Sequence, residues 1–373
     1  MKLLVVVGED VNSLPPIRNL IEILLRNNHT VTLMGEDKTG LVLDVSPNYR
    51  FIKIPEFNGT PLGIRYFRRT SFMREHVIKE MLHHDILWTA TDSTVRDLGD
   101  VVLKYRHVMQ LMELIRDIPR WPRQKFFSLN IKKYAQKAFK VVVPEYNRAH
   151  IQKVWWSLSD LPTILPNKMS MPVFDKIKIP SDILKVVELV KQEKRKIVIY
   201  QGVFDNDRDL DFFVEAVSKL KNKYVLYLMG HETEYKKRLC TAGGDAVVNI
   251  PYLKPPFHLL ITKYAYIGIM PYKAAEVAHL AKINALYCAP NKLFEYAAYG
   301  IPMIGTDMPG LIIPFYRYGI GYVCCPYTVS KIIENIALIT ANYTEMSSCC
   351  IQYYNSFNMD QIVNDIINVE TSS

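Results

Sequence analysis

Short runs dominated by apolar side chains recur along the chain, most of them followed by a longer stretch with helical spacing. Leu3–Val7, Thr30–Met34, Arg50–Ile54, Asp85–Thr89, His107–Leu111 and Val141–Val143 are such runs in the first half. Lys196–Gln201, Tyr224–Met229, Ala246–Ile250, Tyr266–Met270 and Ile301–Gly305 continue them in the second. A strand whose two faces are both apolar must be covered on both sides, which is the situation of a parallel sheet wrapped by helices. Helical patterns fill the gaps at Pro16–Asn27, Arg65–His83, Ile131–Phe139, Leu210–Leu220, Glu232–Thr241, Pro256–Tyr264 and Thr328–Thr340. The rhythm is βαβ throughout, so the fold class is α/β with doubly wound parallel sheets.

At 373 residues the chain exceeds one such sheet and suits two domains. The pattern divides it into 1–167, a linker at 168–195 that turns helical from Ser181, a second domain at 196–345, and C-terminal helices at 346–373. An amphipathic run from Gln352 to Val369 offers Ile362, Val363, Ile366 and Ile367 for packing back on the first domain. No apolar run approaches the roughly 20 residues of a membrane span, and MKLLVVVGED reads as a first strand rather than a signal peptide. Six cysteines without metal-ligand spacing suit a reducing, cytoplasmic setting.

The ligand-bearing edge of such sheets lies beyond the carboxyl ends of the strands. That places Gly8, Asp92 and Glu113 on the rim of the first domain and Gly202 on that of the second. After the first strand Gly8 stands alone, without the GxGxxG of a dinucleotide site, and no phosphate loop of the GxxxxGK type occurs. Asp205, Asp207, Asp209 and Asp211 alternate after Gly202. A calcium loop beginning at Asp205 would need Gly and Glu where Leu210 and Ala216 stand. The acids instead suit a turn and a helix start, so no metal site is expected.

The most distinctive stretch is CAPNKLFEYAAYGIPMIGTDMPGL, Cys288 to Leu311. Pro290 stops the preceding segment, Asn291 reads as an N-cap, Lys292–Tyr299 as a helix, and Gly300 as its stop. Ile301–Gly305 reads as a buried strand and Thr306–Gly310 as a turn. The helix start would offer unpaired N–H groups to an anion. Glu295, one turn inside, would suit a pair of sugar hydroxyls.

This stretch resembles the nucleotide-sugar site of GT-B glycosyltransferases, in particular the bacterial retaining, family 4-like enzymes of capsule and exopolysaccharide synthesis. There a Pro-Asn-Lys-x-x-Glu-Tyr run precedes a Gly-x-Pro strand. The resemblance implies two Rossmann-like domains facing a cleft, and transfer of a sugar from a nucleotide-sugar donor to a hydroxyl acceptor without a metal or other cofactor. It implies that Glu295 holds the donor ribose, and that Asn291, Lys292 and Leu293 at the helix start face its diphosphate. Arg208 would clamp that diphosphate, where Val203 and Asp209 replace basic residues. Gly8 and Gly202 would line the donor, and Glu113 would stand beside the reacting sugar; Tyr252 and Lys254, in the turn after a strand, are placed to flank the base. Tyr287 replaces a second Glu, and Met112 a histidine. The acceptor implied is a glycan, lipid-linked in surface polysaccharide synthesis. A nucleotide-sugar 2-epimerase and a non-catalytic GT-B subunit supporting a catalytic partner share the architecture.

Net charge is +9, of which residues 1–165 carry +7. Arg116–Lys140 holds eight basic residues and one acid, interleaved with Trp121, Phe126 and Phe127, and Arg65, Arg68, Arg69 and Arg74 form a second group. This suits an anionic membrane surface, hence a peripheral place on the inner face of the plasma membrane, or a plain solvated face. No nucleic-acid module accompanies the charge.

Overall fold

The computed structural model describes residues 1–38, 46–119, 128–275 and 281–368. Two compact units emerge. One comprises Met1–Asn167 with Asn358–Ser373, the other Lys168–Phe357.

In the first unit the strands are β1 (Lys2–Asp10), β2 (Thr30–Glu36), β3 (Tyr49–Lys53), β4 (Ile86–Ala90) and β5 (His107–Gln110). A small antiparallel ribbon, β6 (Ile118–Pro119) with β7 (Ser128–Leu129), precedes β8 (Lys140–Val143) and β9 (Thr163–Ile164). Seven of these form a parallel sheet in the order β3-β2-β1-β4-β5-β8-β9. Its helices are α1 (Pro15–Arg26), α2 (Leu62–Glu80), α3 (Asp92–Leu98), α4 (Lys132–Lys137) and α5 (Tyr146–Trp156).

The second unit opens with α6 (Ser181–Gln192), then β10 (Lys196–Gln201), α7 (Asp211–Lys219), β11 (Tyr224–Met229), α8 (Glu234–Gly243) and β12 (Val247–Ile250). It continues with α9 (Leu259–Thr262), β13 (Ile267–Met270), α10 (Lys282–Leu286), α11 (Asn291–Ala298), β14 (Met303–Thr306), α12 (Pro309–Tyr318) and β15 (Gly321–Cys324). The helices α13 (Val329–Ala341) and α14 (Tyr343–Asn355) complete it. Its sheet runs β12-β11-β10-β13-β14-β15, every pair parallel. The order reverses direction between β10 and β13, and such a reversal opens a crevice beyond the carboxyl ends of those two strands.

Several expectations need correction. The stretch 168–195 is no free linker, because Ile183, Val187 and Val190 of α6 lie in the second unit's core. The run from Gln352 to Val369 breaks at Ser356, so α14 stays with the second unit. Only α15 (Met359–Ile367) joins the first, where it buries Val363, Ile366 and Ile367 and pairs Asp360 with Arg26 at 2.7 Å. Asn291 is not the N-cap of α11; Pro290 is, and no side chain caps that end. The turn after β14 is shorter than expected, since α12 already begins at Pro309, a residue preorganised for a helix start. Pro256–Tyr264 contracts to the single turn of α9. Trp121, Phe126 and Phe127, with Arg120, Arg123 and Lys125, lie outside the described residues.

Close packing against β13 rests on Gly268. A Cβ there would lie 2.3 Å from the ring of Tyr296, which is fully buried on α11 and donates to the Ile199 carbonyl of β10 at 3.3 Å. Gly268 thus lets α11 lie flat across the strands at the crevice. Gly268→Ala is expected to lower stability by about 2 kcal/mol, typical of core overpacking, read as a drop in the urea midpoint.

Candidate functional site

The crevice between β10 and β13 of the second unit gathers charge. β10 ends at Gln201, and Gly202 follows with φ +139°, where a Cβ would lie 3.1 Å from the Lys292 ammonium. A side chain at 202 would be strained by that backbone and would crowd the lysine. Gly202 is also met by Gly230 at the end of β11, where an added Cβ would collide with the Gly202 carbonyl. Two glycines therefore bring the chain ends together.

Lys292, in the first turn of α11, holds its ammonium 5.0 Å from the Tyr200 ring and 5.4 Å from the Tyr272 ring. Arg208 lies over Tyr272 as well, its guanidinium 4.1 Å from the ring centroid. The loop that carries Arg208 is sewn to the end of β13: Asp209 N–H donates to Pro271 and Lys273 N–H to Asp207, both at 2.8 Å. Asp207 pairs with Arg208. The Arg208 Nε is buried without a hydrogen-bond partner. Burial drives the pKa of Lys292 down to about 7, and the neighbouring Arg208 pushes the same way against the pull of Glu295. A low-dielectric crevice with two close cations, an unsatisfied N–H and an uncapped helix start is built to receive an anion.

One turn further along α11, Glu295 is 5% exposed. Its Oε2 accepts from Gln201 Nε2, and its Oε1 lies 3.3 Å from His258 Nε2. The Thr262 hydroxyl donates to Gln201 Oε1 at 2.5 Å. Burial raises the Glu295 pKa, but His258, Lys292 and Gln201 together outweigh it and keep the group below the usual range. Glu295 is therefore a buried carboxylate, ionised at neutral pH.

A third cluster borders the crevice. Lys236 of α8 is wholly buried, donating to the carbonyls of Gly230 and Ile250, both at 2.8 Å, and to Glu232 at 2.9 Å. It ties the ends of β11 and β12 together. His231 and Tyr252, which follow those strands, stack at 3.9 Å with rings 16° apart, and Tyr252 is half exposed.

The expected donor residues Gly202, Arg208, Asn291, Lys292 and Glu295 thus meet around one crevice. Leu293 differs: its side chain belongs to the core, leaving only its backbone at the helix start. Gly8 and Glu113 lie in the first unit. Gly8 is closed off, its N–H donating to Thr94 Oγ1 at 2.7 Å and its carbonyl accepting from Arg69. Glu113, beyond β5, is half exposed, 3.9 Å from Arg148. Asp211 of the alternating acids opens α7 and pairs with Arg238 at 2.7 Å, a helix-start role. Gln201, His258, Thr262 and Lys236 had not been singled out. Gln201 carried a signal, a lone amide closing an otherwise buried apolar strand.

No protein-family model and no curated protein matches the chain. Solved structures do. Sucrose-phosphate synthase from Thermosynechococcus elongatus superposes with a TM-score of 0.69 at 14% identity, over 98% of this chain and 97% of that one. HepE from Anabaena, in complex with UDP, gives 0.66 at 13%, over 98% of each chain. The fold is GT-B. A putative UDP-N-acetylglucosamine 2-epimerase from Listeria monocytogenes shares it as well, at 0.63 and 13%, over 98% and 94%, so GT-B alone does not choose between chemistries.

With its charged form populated below about pH 7, Lys292 should make anion binding pH-dependent. A bound polyanion favours the ammonium, so affinity for inorganic pyrophosphate is expected to be highest below pH 7 and to fall as pH rises. Titration calorimetry across pH 6 to 9 checks this, and Lys292→Met should flatten the profile.

Proposed function

We propose that the chain is a glycosyltransferase that moves a sugar from a nucleotide-sugar donor to a hydroxyl. The observation that carries the reading is the convergence of Arg208, Lys292 and the uncapped start of α11 at the switch point of the second sheet. These groups suit a diphosphate, and Glu295 beside them suits a ribose diol. The GT-B fold, shared with a protein solved in complex with UDP and with a glycosyltransferase from Rickettsia africae, supports the same reading.

In this reading bond cleavage at the anomeric carbon leaves negative charge on the departing nucleoside diphosphate. Arg208, Lys292 and the α11 amides are in place before that charge develops, so they stabilise it without reorganising. Neutralisation is assigned to these groups rather than to a metal, and retention at the anomeric carbon is the expectation carried by the resemblance. The exposed His231–Tyr252 stack is assigned to the base. Glu113 is assigned a place beside the reacting sugar.

The acceptor proposed is a lipid-linked glycan of surface polysaccharide synthesis, with the protein peripheral on an anionic membrane. Among the described residues no helix is long and apolar enough to cross a membrane. On α2, Leu62, Ile64 and Phe67 are 72, 49 and 69% exposed and alternate with Arg65 and Arg68. Arg69 and Arg74, by contrast, are engaged internally, with Glu36, Asp97 and the Gly8 and Asp97 carbonyls.

Labelled-sugar transfer from a panel of nucleotide sugars to a lipid-linked acceptor tests the enzyme reading. Arg208→Ala and Glu295→Ala are each expected to lower kcat/KM at least a hundredfold, Glu113→Gln to lower kcat, and EDTA to leave turnover unchanged. Nucleotide binding without turnover on any donor would make the chain a non-catalytic subunit instead.

Binding to anionic liposomes should weaken as salt rises and be lost in a Phe67→Ser, Arg68→Ser variant. Binding that ignores salt ends the membrane proposal.

A further inference from the structure

The carboxylate of Glu295 is not merely buried; its orientation is dictated from two other elements. An ionised carboxylate only accepts hydrogen bonds, so Gln201 must turn its amide nitrogen toward Oε2. That choice leaves Gln201 Oε1 facing Thr262 Oγ1, and the hydroxyl must then donate to it at 2.5 Å. The second acceptor within reach of that hydroxyl, the His258 carbonyl at 3.1 Å, is the weaker partner. On the other oxygen, His258 Nε2 at 3.3 Å has to carry a proton. Its Nδ1 is buried without a partner.

Direction therefore propagates along the chain, from the Thr262 O–H to Gln201 and from the Gln201 N–H to Glu295, with no alternative amide flip that avoids two oxygens in contact. Gln201 closes β10, His258 and Thr262 flank and end α9, and Glu295 sits in α11. Two elements of the second unit, β10 and α9, thus hold one carboxylate carried by a third. Gln201 meets one carboxylate oxygen and His258 approaches the other; a carboxylate oxygen accepts more than one hydrogen bond, so each can take a further donor and the two together can take a pair.

We infer that Gln201, His258 and Thr262 are positioning residues that hold Glu295 as a rigid two-point acceptor for a vicinal diol, so that the site selects ribonucleotides over deoxyribonucleotides. The inference rests on the donor reading above and adds its selectivity. A mobile carboxylate would follow whichever hydroxyl remained; a clamped one cannot, so loss of either hydroxyl leaves a buried lone pair unsatisfied.

Calorimetric binding of UDP, ADP and GDP, each beside its 2′-deoxy counterpart, provides the test. The wild type is expected to prefer the ribose form of its best nucleotide by tenfold or more, about the contribution of one hydrogen bond to a charged group. Glu295→Gln should abolish the preference. Thr262→Val, which keeps shape but removes the hydroxyl, and Gln201→Leu should reduce it to about twofold or less. Thr262→Ser should restore it, and also serves if the valine variant fails to fold. Loss of preference in Thr262→Val and its return in Thr262→Ser supports the frame. An undiminished preference in Thr262→Val and Gln201→Leu, with Glu295→Gln indifferent to the 2′-hydroxyl, overturns the frame and leaves the ribose contact standing. No binding of any nucleotide, or a preference that survives Glu295→Gln, removes the donor reading itself and the inference with it.

Discussion

Two positive groups are held close in a place with little water. Arg208 and Lys292 face the same tyrosine ring at 4.1 and 5.4 Å, and burial first, then repulsion from the arginine, pushes the lysine's pKa down. Proteins tolerate such an arrangement when a compensating charge is present or supplied. Asp207 offsets the arginine, and the aromatic faces of Tyr200 and Tyr272 offset part of the lysine's charge. The rest of the second unit is arranged around this crowding. Glycines 202, 230 and 268 allow the backbone and α11 to come near enough, and the bonds from Asp209 to Pro271 and from Lys273 to Asp207 fix the arginine loop.

Much of this was legible in the chain because the central parallel strands are predominantly apolar. Lys196–Gln201 and Tyr224–Met229 were bounded to the residue, since both are continuous buried runs ended by a change in polarity. The helix α3, DSTVRDL, was missed because it holds only two large apolar residues, Val95 and Leu98. The helix α12 was hidden behind Pro309 and Gly310, which read as a turn. Gly310 is there for another reason, as a Cβ would strike the Cys288 carbonyl at 2.5 Å.

In the site, Arg208, Lys292 and Glu295 could be picked out because their neighbours along the chain form a motif. The partners of Glu295 could not. Gln201 lies 94 residues from it, and Thr262 lies 61 from Gln201. Such a network is created by tertiary packing, and no local spacing encodes it. The same holds for Lys236, whose partners are mostly backbone carbonyls and so leave no trace in residue type.

The first sheet winds through the same order as the second, with its own reversal between β1 and β4. Yet there the backbone at the reversal is already engaged. Thr94 takes the Gly8 amide, while Arg69 reaches across to the Gly8 carbonyl and is braced by Glu36 and Asp97. Arg69 is thereby held by two acids and a carbonyl of its own unit, whereas Arg208 in the second unit has Asp207 but keeps a buried Nε without a hydrogen-bond partner. Two halves of like winding have therefore diverged at their turning points: in one the backbone after the first strand is already engaged by side chains of its own unit, in the other a buried guanidinium N–H is still to be met.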